Sequence, residues 1–469
     1  MRNAVAALAL LTLAACDPDE GLRTQPPATD PGIDVRVPRI RTATMQSGMP
    51  VYLAKGSSVR IAAVGLLLRA GPHYDPPGKE GLARLTAELI ESGTARNGVP
   101  HREHFEALGT DLHVGVSPES ILLAVEVFSD ETPLALRTLA GLMRDPSIAV
   151  DELENARRER SNNIARMIES PDALASLAMA EVVLRERNLH SAWGLGTEAS
   201  VGRITADDVI AHLGRAADPG RAAVIIVGDV GEKEANEWVR VAFGDWRGSV
   251  AAGPSALSEP PPPVEREAIV FVPVPGLERA LIGFGGPDLP ADDSREPALA
   301  LAKEVALSVV NDELRRRRHT SYGAKLERSN FAGDSAFSIV ARVQPDKVAA
   351  SINGVLSTLN GVAYVGDSLN RHRIHSYVDL MTDSQEVRSV VGTVRTIFDH
   401  GYPRDVYETR YQRLGALEAR QIHEMLRLRF GSRDVQVVVV GDPAIHWQLK
   451  SVDNVIVRLP EELVGRTAN

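Results

Sequence analysis

Two apolar runs closed by the same tripeptide constrain this chain most. Ala222–Asp229 reads AAVIIVGD and Val435–Asp442 reads VQVVVVGD, with the two aspartates 213 residues apart (442 − 229). Short runs rich in Val and Ile that end on glycine read as buried β-strands leading into a turn. A second echo lies upstream. Val127 and Asp130, in VFSD after the strand-like Ile121–Val127, correspond to Val343 and Asp346, in VQPD after Phe337–Val343, at an offset of 216 (343 − 127). Each pair precedes a helix with small apolar residues. Two echoes at nearly one offset indicate an internal duplication, and therefore two similar halves.

The junction between the halves is Ala251–Val264, AAGPSALSEPPPPV, whose prolines favour an extended linker over helix or sheet. The expected domains are residues 34–250 and 265–469, joined by 251–264. Each half mixes short strands with long amphipathic helices, an α+β order. Val59–Arg69 alternates and reads as a strand; Glu103–Leu108 and Thr132–Met143 read as helices; Val150–Ile168 reads as a long polar helix. A length of 469 residues exceeds one ordinary core and agrees with more than one domain. Aromatic residues make up 4% of the chain, so the core is expected to be aliphatic. A net charge of −10 argues against a nucleic-acid binder.

The first residues read as a processing signal. Met1-Arg2-Asn3 forms a short positive start, and Ala4–Leu13 is apolar but too short to span a bilayer. The stretch ends in Leu13-Ala14-Ala15-Cys16, which resembles a bacterial lipobox. That resemblance implies cleavage after residue 15, a lipid on Cys16 and a flexible tether over 16–33. The implied address is periplasmic, on a bacterial membrane. Cys16 is the only cysteine, so no disulfide forms within one molecule.

The segment Gly71–Thr94, GPHYDPPGKEGLARLTAELIESGT, carries a more specific pattern. Leu82, Leu85, Leu89 and Ile90 fall at i, i+3, i+7 and i+8, the apolar stripe of an amphipathic helix, with Arg84, Ala87, Glu88 and Glu91 on its other face. On that reading Arg84 and Glu88 form a plain i, i+4 ion pair. The segment also resembles the one bearing the inverted zinc motif H-x-x-E-H in pitrilysin/insulinase-type (M16) metallopeptidases. The frame survives in Gly71, Asp75, Pro76, Gly78, Gly81, Leu82, Ala83, Gly93 and Thr94. The chemistry does not: Arg84 and Glu88 stand where the family has its two histidines, and Ala87 stands where it has the catalytic glutamate. A further glutamate ligand of the family, followed by Ile and, eight residues on, by Pro, maps to Asn163, with Ile164 and Pro171 in place. A catalytic zinc needs about three protein ligands, a water and a carboxylate base. Arginine cannot ligate and asparagine does so poorly, so the resemblance implies that this chain holds no metal. His101, His104 and His113 cluster in sequence but lack a third ligand at a recognisable spacing, and His73 is equally unremarkable.

In the second half Leu314–Tyr322 reads LRRRRHTSY. It resembles the M16 segment L-R-x-x-x-x-x-x-Y, in which the arginine and tyrosine reach into the active site. The resemblance implies that Arg315 grips substrate carbonyls or a carboxylate and that Tyr322 stabilises the developing oxyanion. The family has Gly-Leu-Ala where this chain has His319-Thr320-Ser321. Without the resemblance, four adjacent arginines at a helix end read as a solvated cationic face.

These features imply two similar M16-type α/β domains forming a clam. The implied role is the zinc-free subunit of a heterodimeric peptidase. Its partner would be an M16 subunit with intact H-x-x-E-H, which brings the zinc, and Arg315 and Tyr322 would act in trans on peptides bound as an added β-strand. The alternative is an M16-like scaffold or peptide-binding protein with no part in catalysis. A zinc peptidase with an unrecognised site is a third reading.

Overall fold

The computed structural model describes residues 38–466 apart from 56–59, 95–97, 145–147, 185–188, 190–192, 248–267, 332–333, 362–365 and 432. The lipobox, the tether and the proline-rich linker lie outside the described residues.

Residues 35–469 form one compact unit built on two six-stranded sheets. The first sheet comprises β1 (Ile40–Thr44), β2 (Pro50–Lys55), β3 (Ile61–Leu68), β4 (His113–Val116), β5 (Ile121–Phe128) and β6 (Ala222–Gly228), in the order β1-β2-β6-β3-β5-β4. The second comprises β7 (Ile269–Pro273), β8 (Ala280–Pro287), β9 (Ala324–Phe331), β10 (Asp334–Val343), β11 (Gln436–Gly441) and β12 (Val455–Val457), in the order β12-β7-β11-β8-β10-β9. Apart from the outer strands β1 and β12, the two orders are the same.

Register confirms the duplication. In the first sheet Val125 and Ile226 flank Val64. Moved by the sequence offsets of 216 and 213 they become Ala341 and Val439, and these two flank Ile282 in the second sheet. The helices follow the same arithmetic. The offset of 216 carries α3 (Thr132–Arg144) onto the helix Val348–Asn360, and α5 (Pro171–Leu184) onto the helix Val387–His400.

The halves are interlocked. The first sheet buries one face against α1 (Leu82–Ser92), α3 and neighbouring helices, through Val64, Leu66, Val224 and Ile226. Its other face, through Ala63, Leu67, Ile225 and Val227, is covered by Val390, Val391, Val394 and Phe398 of the helix Val387–His400 from the second half. The exchange is reciprocal: Leu174 and Ala178 of α5, from the first half, pack on Val272, Leu281, Val340 and Val438 of the second sheet. Each sheet therefore has both faces covered, one of them by a helix of the other half.

The strand expected over Val59–Arg69 is β3, buried at every position after Ile61 because the borrowed helix covers its second face. One expectation is corrected. The core is not purely aliphatic: Phe105, Phe243, Phe271, Phe284, Phe331, Phe337 and Phe430 are among its largest fully buried side chains. The remaining elements fall close to their expected places, with α2 at His101–Glu106 and α4 at Val150–Met167. Among the described residues no helix is long and apolar enough to cross a membrane.

Candidate functional site

The frame of Gly71–Thr94 survives because it builds the start and end of α1, independently of any metal. Asp75 accepts the Gly81 N–H at 2.8 Å and the Ala83 N–H at 2.9 Å, satisfying donors that a helix leaves unpaired at its N-terminus. Gly81, the residue before the helix, has φ +98°, and a Cβ there would press on the backbone of Leu195 and Gly196 at 3.3 Å. At the far end Gly93 donates to the Leu89 carbonyl at 2.9 Å, and the Thr94 N–H and hydroxyl both donate to Glu152 on α4, at 2.9 and 2.5 Å.

The face expected to be open to solvent is covered. Ala87 is buried, and Arg84 and Glu88 are largely buried beneath α4 and the loop Trp193–Gly196. The expected ion pair between Arg84 and Glu88 is replaced by another. Glu88 Oε1 accepts from Arg160 Nη1 at 3.3 Å, while Arg84 Nη2 donates to the Trp193 carbonyl at 3.2 Å. Arg160, 7% exposed, also donates Nε and Nη2 to the Leu195 carbonyl at 3.2 and 3.1 Å. Gly194 holds this loop close, since a Cβ on it would lie 2.0 Å from Pro72. Asn163 lies three residues beyond Arg160 on α4, where its side-chain oxygen accepts from Arg166.

This donor set does not fit a zinc ion. Two guanidinium groups flank the one carboxylate, and the charges repel a third cation. Burial and the charge on Arg160 lower Arg84 to about 10, which leaves it cationic at neutral pH. Burial pushes the Glu88 carboxyl up, against the pull of Arg160 and Arg84. Among the described residues no three of His, Cys, Asp and Glu lie close enough together to hold a metal. His101 instead hydrogen-bonds the Ile90 carbonyl through Nδ1 at 2.9 Å, and His73 stands 3.9 Å from Glu119. Arg160 is the residue that sequence reasoning missed. Its place one turn before Asn163 was the available signal, because i and i+3 share a helix face.

Arg315 and Tyr322 lie elsewhere. Arg315 belongs to a π-helical turn, Asp312–Arg317, that continues the helix Glu296–Asn311; such turns recur at functional sites. The other three arginines are not a free cationic face. Arg316 pairs with Asp312 at 3.2 Å, Arg317 with Asp312 at 3.1 Å, and Arg318 with Glu313 at 2.5 Å. Arg315 is exposed and, among the described residues, has no carboxylate beside it. Tyr322 is 84% exposed, with the Arg279 guanidinium 4.9 Å from its ring centroid.

Between them the chain turns under strain. His319 has φ +54°, alone among the described non-glycine residues in having a positive φ, and the turn is tied down by Thr320 and Ser321 donating to the Leu314 carbonyl at 2.8 and 3.3 Å. This is where the resemblance places glycine, so the departure lies in the side chain and not in the backbone. Replacing His319 by Gly is expected to raise stability by about 1 kcal/mol, read as a later denaturation midpoint. A lower midpoint would rule out strain at this residue.

The two sets of residues sit at opposite ends of β9. Tyr322 lines a groove of about 440 Å³ at the start of that strand, with Ala324 and Lys325. Phe331, at its end, meets the ring of Trp193, the residue whose carbonyl holds Arg84. Seven strand steps between Ala324 and Phe331 span roughly 23 Å. A cavity of about 580 Å³ opens between the halves at the Phe331 end, with Arg84, Glu119, Asp288, Arg328, Asp399 and His400 in its wall.

The family model described as insulinase (peptidase family M16) matches residues 51–193, and that described as the peptidase M16 inactive domain matches residues 203–372, together more than half of the chain. The chain belongs to peptidase family M16. The non-peptidase homolog YmxG of Helicobacter pylori is 20% identical over 417 residues, which cover 85% of this chain and 93% of that protein. The structure of a peptidase M16 inactive domain from Pseudomonas fluorescens matches with a TM-score of 0.75 at 17% identity, over 86% of this chain and 98% of that one. The periplasmic protease PqqL of Escherichia coli matches with a TM-score of 0.68 at 15% identity, over 88% of this chain but 47% of PqqL. At these identities the structural likeness is one of fold. The chain is thus an M16 homologue that lacks the residues of the family's zinc motif.

Proposed function

We propose that this chain is the zinc-free subunit of a heterodimeric M16 peptidase. Its partner is an M16 chain with intact H-x-x-E-H, to whose zinc site Arg315 and Tyr322 are presented in trans. The observation that carries this reading is the exposure of the pair. Arg315 is exposed with no carboxylate beside it, and Tyr322 is 84% exposed with only the Arg279 guanidinium over its ring, at the end of β9 remote from Trp193 and Arg84, on the order of 20 Å along the strand. The likeness to about half of PqqL supports the same reading, since a protease twice as long has room for a second such unit in one chain.

The role of each residue follows from its chemistry. The Arg315 fork binds a substrate carbonyl or carboxylate through two parallel hydrogen bonds. The Tyr322 hydroxyl donates to the oxyanion that forms when water attacks the peptide carbonyl. A zinc ion held by the partner's H-x-x-E-H would supply the activation of that water. This chain adds no ligand, because Arg84, Ala87, Glu88 and Asn163 offer none beyond a single carboxylate already paired with Arg160. A lipid on Cys16 would hold the complex at the periplasmic face of a membrane.

The test is to purify the native lipoprotein from membranes with whatever accompanies it, and to assay peptide hydrolysis with and without chelator. The expected result is an accompanying M16 chain that carries the zinc, with activity abolished by chelation. The purified chain alone is expected to hold well below one zinc and to hydrolyse nothing. Stoichiometric zinc in the isolated chain would overturn the reading. A stable assembly without peptidase activity would favour the scaffold role instead.

A further inference from the structure

The groove beside Tyr322 is lined by three cations and, among the described residues, by no carboxylate. Arg279 comes from the turn before β8, Lys325 from β9 and Arg342 from β10, around a volume of about 440 Å³. Two of the three are already matched. Arg342 pairs with Asp172 at the start of α5, and Lys325 pairs with Asp172 at 3.3 Å and with Glu327 at 2.6 Å. The duplication explains the first of these pairs. An offset of 216 relates Arg342 to Glu126 and Arg388 to Asp172 (342 − 216 = 126, 388 − 216 = 172), and Glu126 and Arg388 also pair, with the signs exchanged. Each pair ties a borrowed helix to the sheet it covers, so Arg342 belongs to the fold.

Arg279 has no such counterpart. Val343 lies opposite Ala280, and its duplicate Val127 lies opposite Ala62, so the position equivalent to Arg279 is Ile61. Among the described residues Arg279 forms no ion pair; its guanidinium lies over the Tyr322 ring, 4.9 Å from the centroid. A ring face holds a cation in place without occupying its N–H donors. The groove therefore carries one positive charge in excess, three cations against Asp172 and Glu327, and that charge stands at Tyr322. Part of the lining is apolar, since Leu281 and Val340 are both buried. Apolar lining takes the methylenes of a charged side chain and weakens the screening of charges beside it.

We propose that this groove binds a carboxylate of a peptide and that Arg279 selects it. The carboxylate of an aspartate or glutamate side chain, or of a chain end, meets the N–H donors of Arg279, while the methylenes behind it lie on Leu281 and Val340. One carboxylate neutralises the one excess charge. The preference is therefore for a single acidic group next to the bond presented to Tyr322, and a basic side chain there is repelled. That the peptide is substrate rests on the reading of Tyr322 given above; recognition of the carboxylate is a property of this chain alone.

The test compares three hexapeptides of otherwise identical sequence, all acetylated at the N-terminus. One has an internal glutamate and an amidated end, one has glutamine in its place, and the third is the glutamine peptide with a free C-terminal carboxylate. Titrated calorimetrically into the purified chain at low salt, the glutamate peptide is expected to bind about tenfold more tightly than its glutamine counterpart. A gain for the third peptide in place of the first would assign the same groove to a chain end. Arg279→Gln is expected to erase the gain, and Arg279→Lys to restore part of it. In the co-purified complex Arg279→Gln should lower kcat/KM for the glutamate peptide and leave the glutamine peptide unchanged. An arginine that only steadies the Tyr322 ring would lower kcat/KM for both equally. That result, equal binding of all three peptides, or no binding of any, would overturn the proposal. Turnover that depends on Tyr322 but not on the carboxylate would reject Arg279 alone; carboxylate binding lost in Arg279→Gln, by a chain that joins no peptidase, would reject the shared active site alone.

Discussion

Tyr322→Phe is expected to lower the turnover of the assembled peptidase by about 10- to 1000-fold without weakening assembly. The size follows from what the substitution removes, one donor aimed at charge that appears only in the transition state. Such a loss falls on kcat more than on KM, because the ground-state carbonyl gains little from that donor. The structure makes the variant a clean one. Tyr322 is 84% exposed and its hydroxyl ties no part of the fold together, while a phenylalanine ring keeps the stacking position beneath Arg279, whose guanidinium is 4.9 Å from the centroid. Arg315→Ala should instead raise KM as well, since the fork also binds the ground state. Steady-state kinetics of the co-purified complex decide the matter; an unchanged kcat for Tyr322→Phe would remove the tyrosine from the chemistry.

The second large effect concerns stability. Glu88→Ala is expected to cost about 3 kcal/mol, because it leaves the Arg160 and Arg84 guanidiniums buried beside each other with no anion between them. Breaking a buried pair on one side costs more than removing both partners. The double variant Glu88→Ala/Arg160→Met should therefore lose less than Glu88→Ala alone. Denaturant midpoints of the three proteins measure this. A loss below about 1 kcal/mol for Glu88→Ala would mean that the arginine cluster does not rely on Glu88. Together the two variants test the proposed division of roles, in which Glu88 and Arg160 support the fold and Tyr322 serves the chemistry.

That this chain lacks the residues of the family's zinc motif was legible from residue type alone, because no packing makes arginine a ligand or alanine a base. What replaced it was not. Arg84 and Glu88 at i, i+4 permit a local ion pair, and only the approach of α4 and the loop Trp193–Gly196 diverts Glu88 to Arg160 and Arg84 to a carbonyl. His319 shows the reverse case. Sequence marks it as a departure from the family's glycine, and the backbone at φ +54° shows that the local conformation has not followed the side chain.

The fold divides in the same way. Two short echoes at offsets of 213 and 216 were enough to determine a duplication and two similar sheets, because strand identity is written in local runs of Val and Ile. Which sheet each helix covers was not written there. α5 and the helix Val387–His400 are duplicates, 216 residues apart, and each packs on the sheet of the opposite half. A helix's apolar residues state that it must be buried but not against what. That choice belongs to the tertiary structure, where a sheet buried on both faces needs a cover for its second side and takes it from the other half.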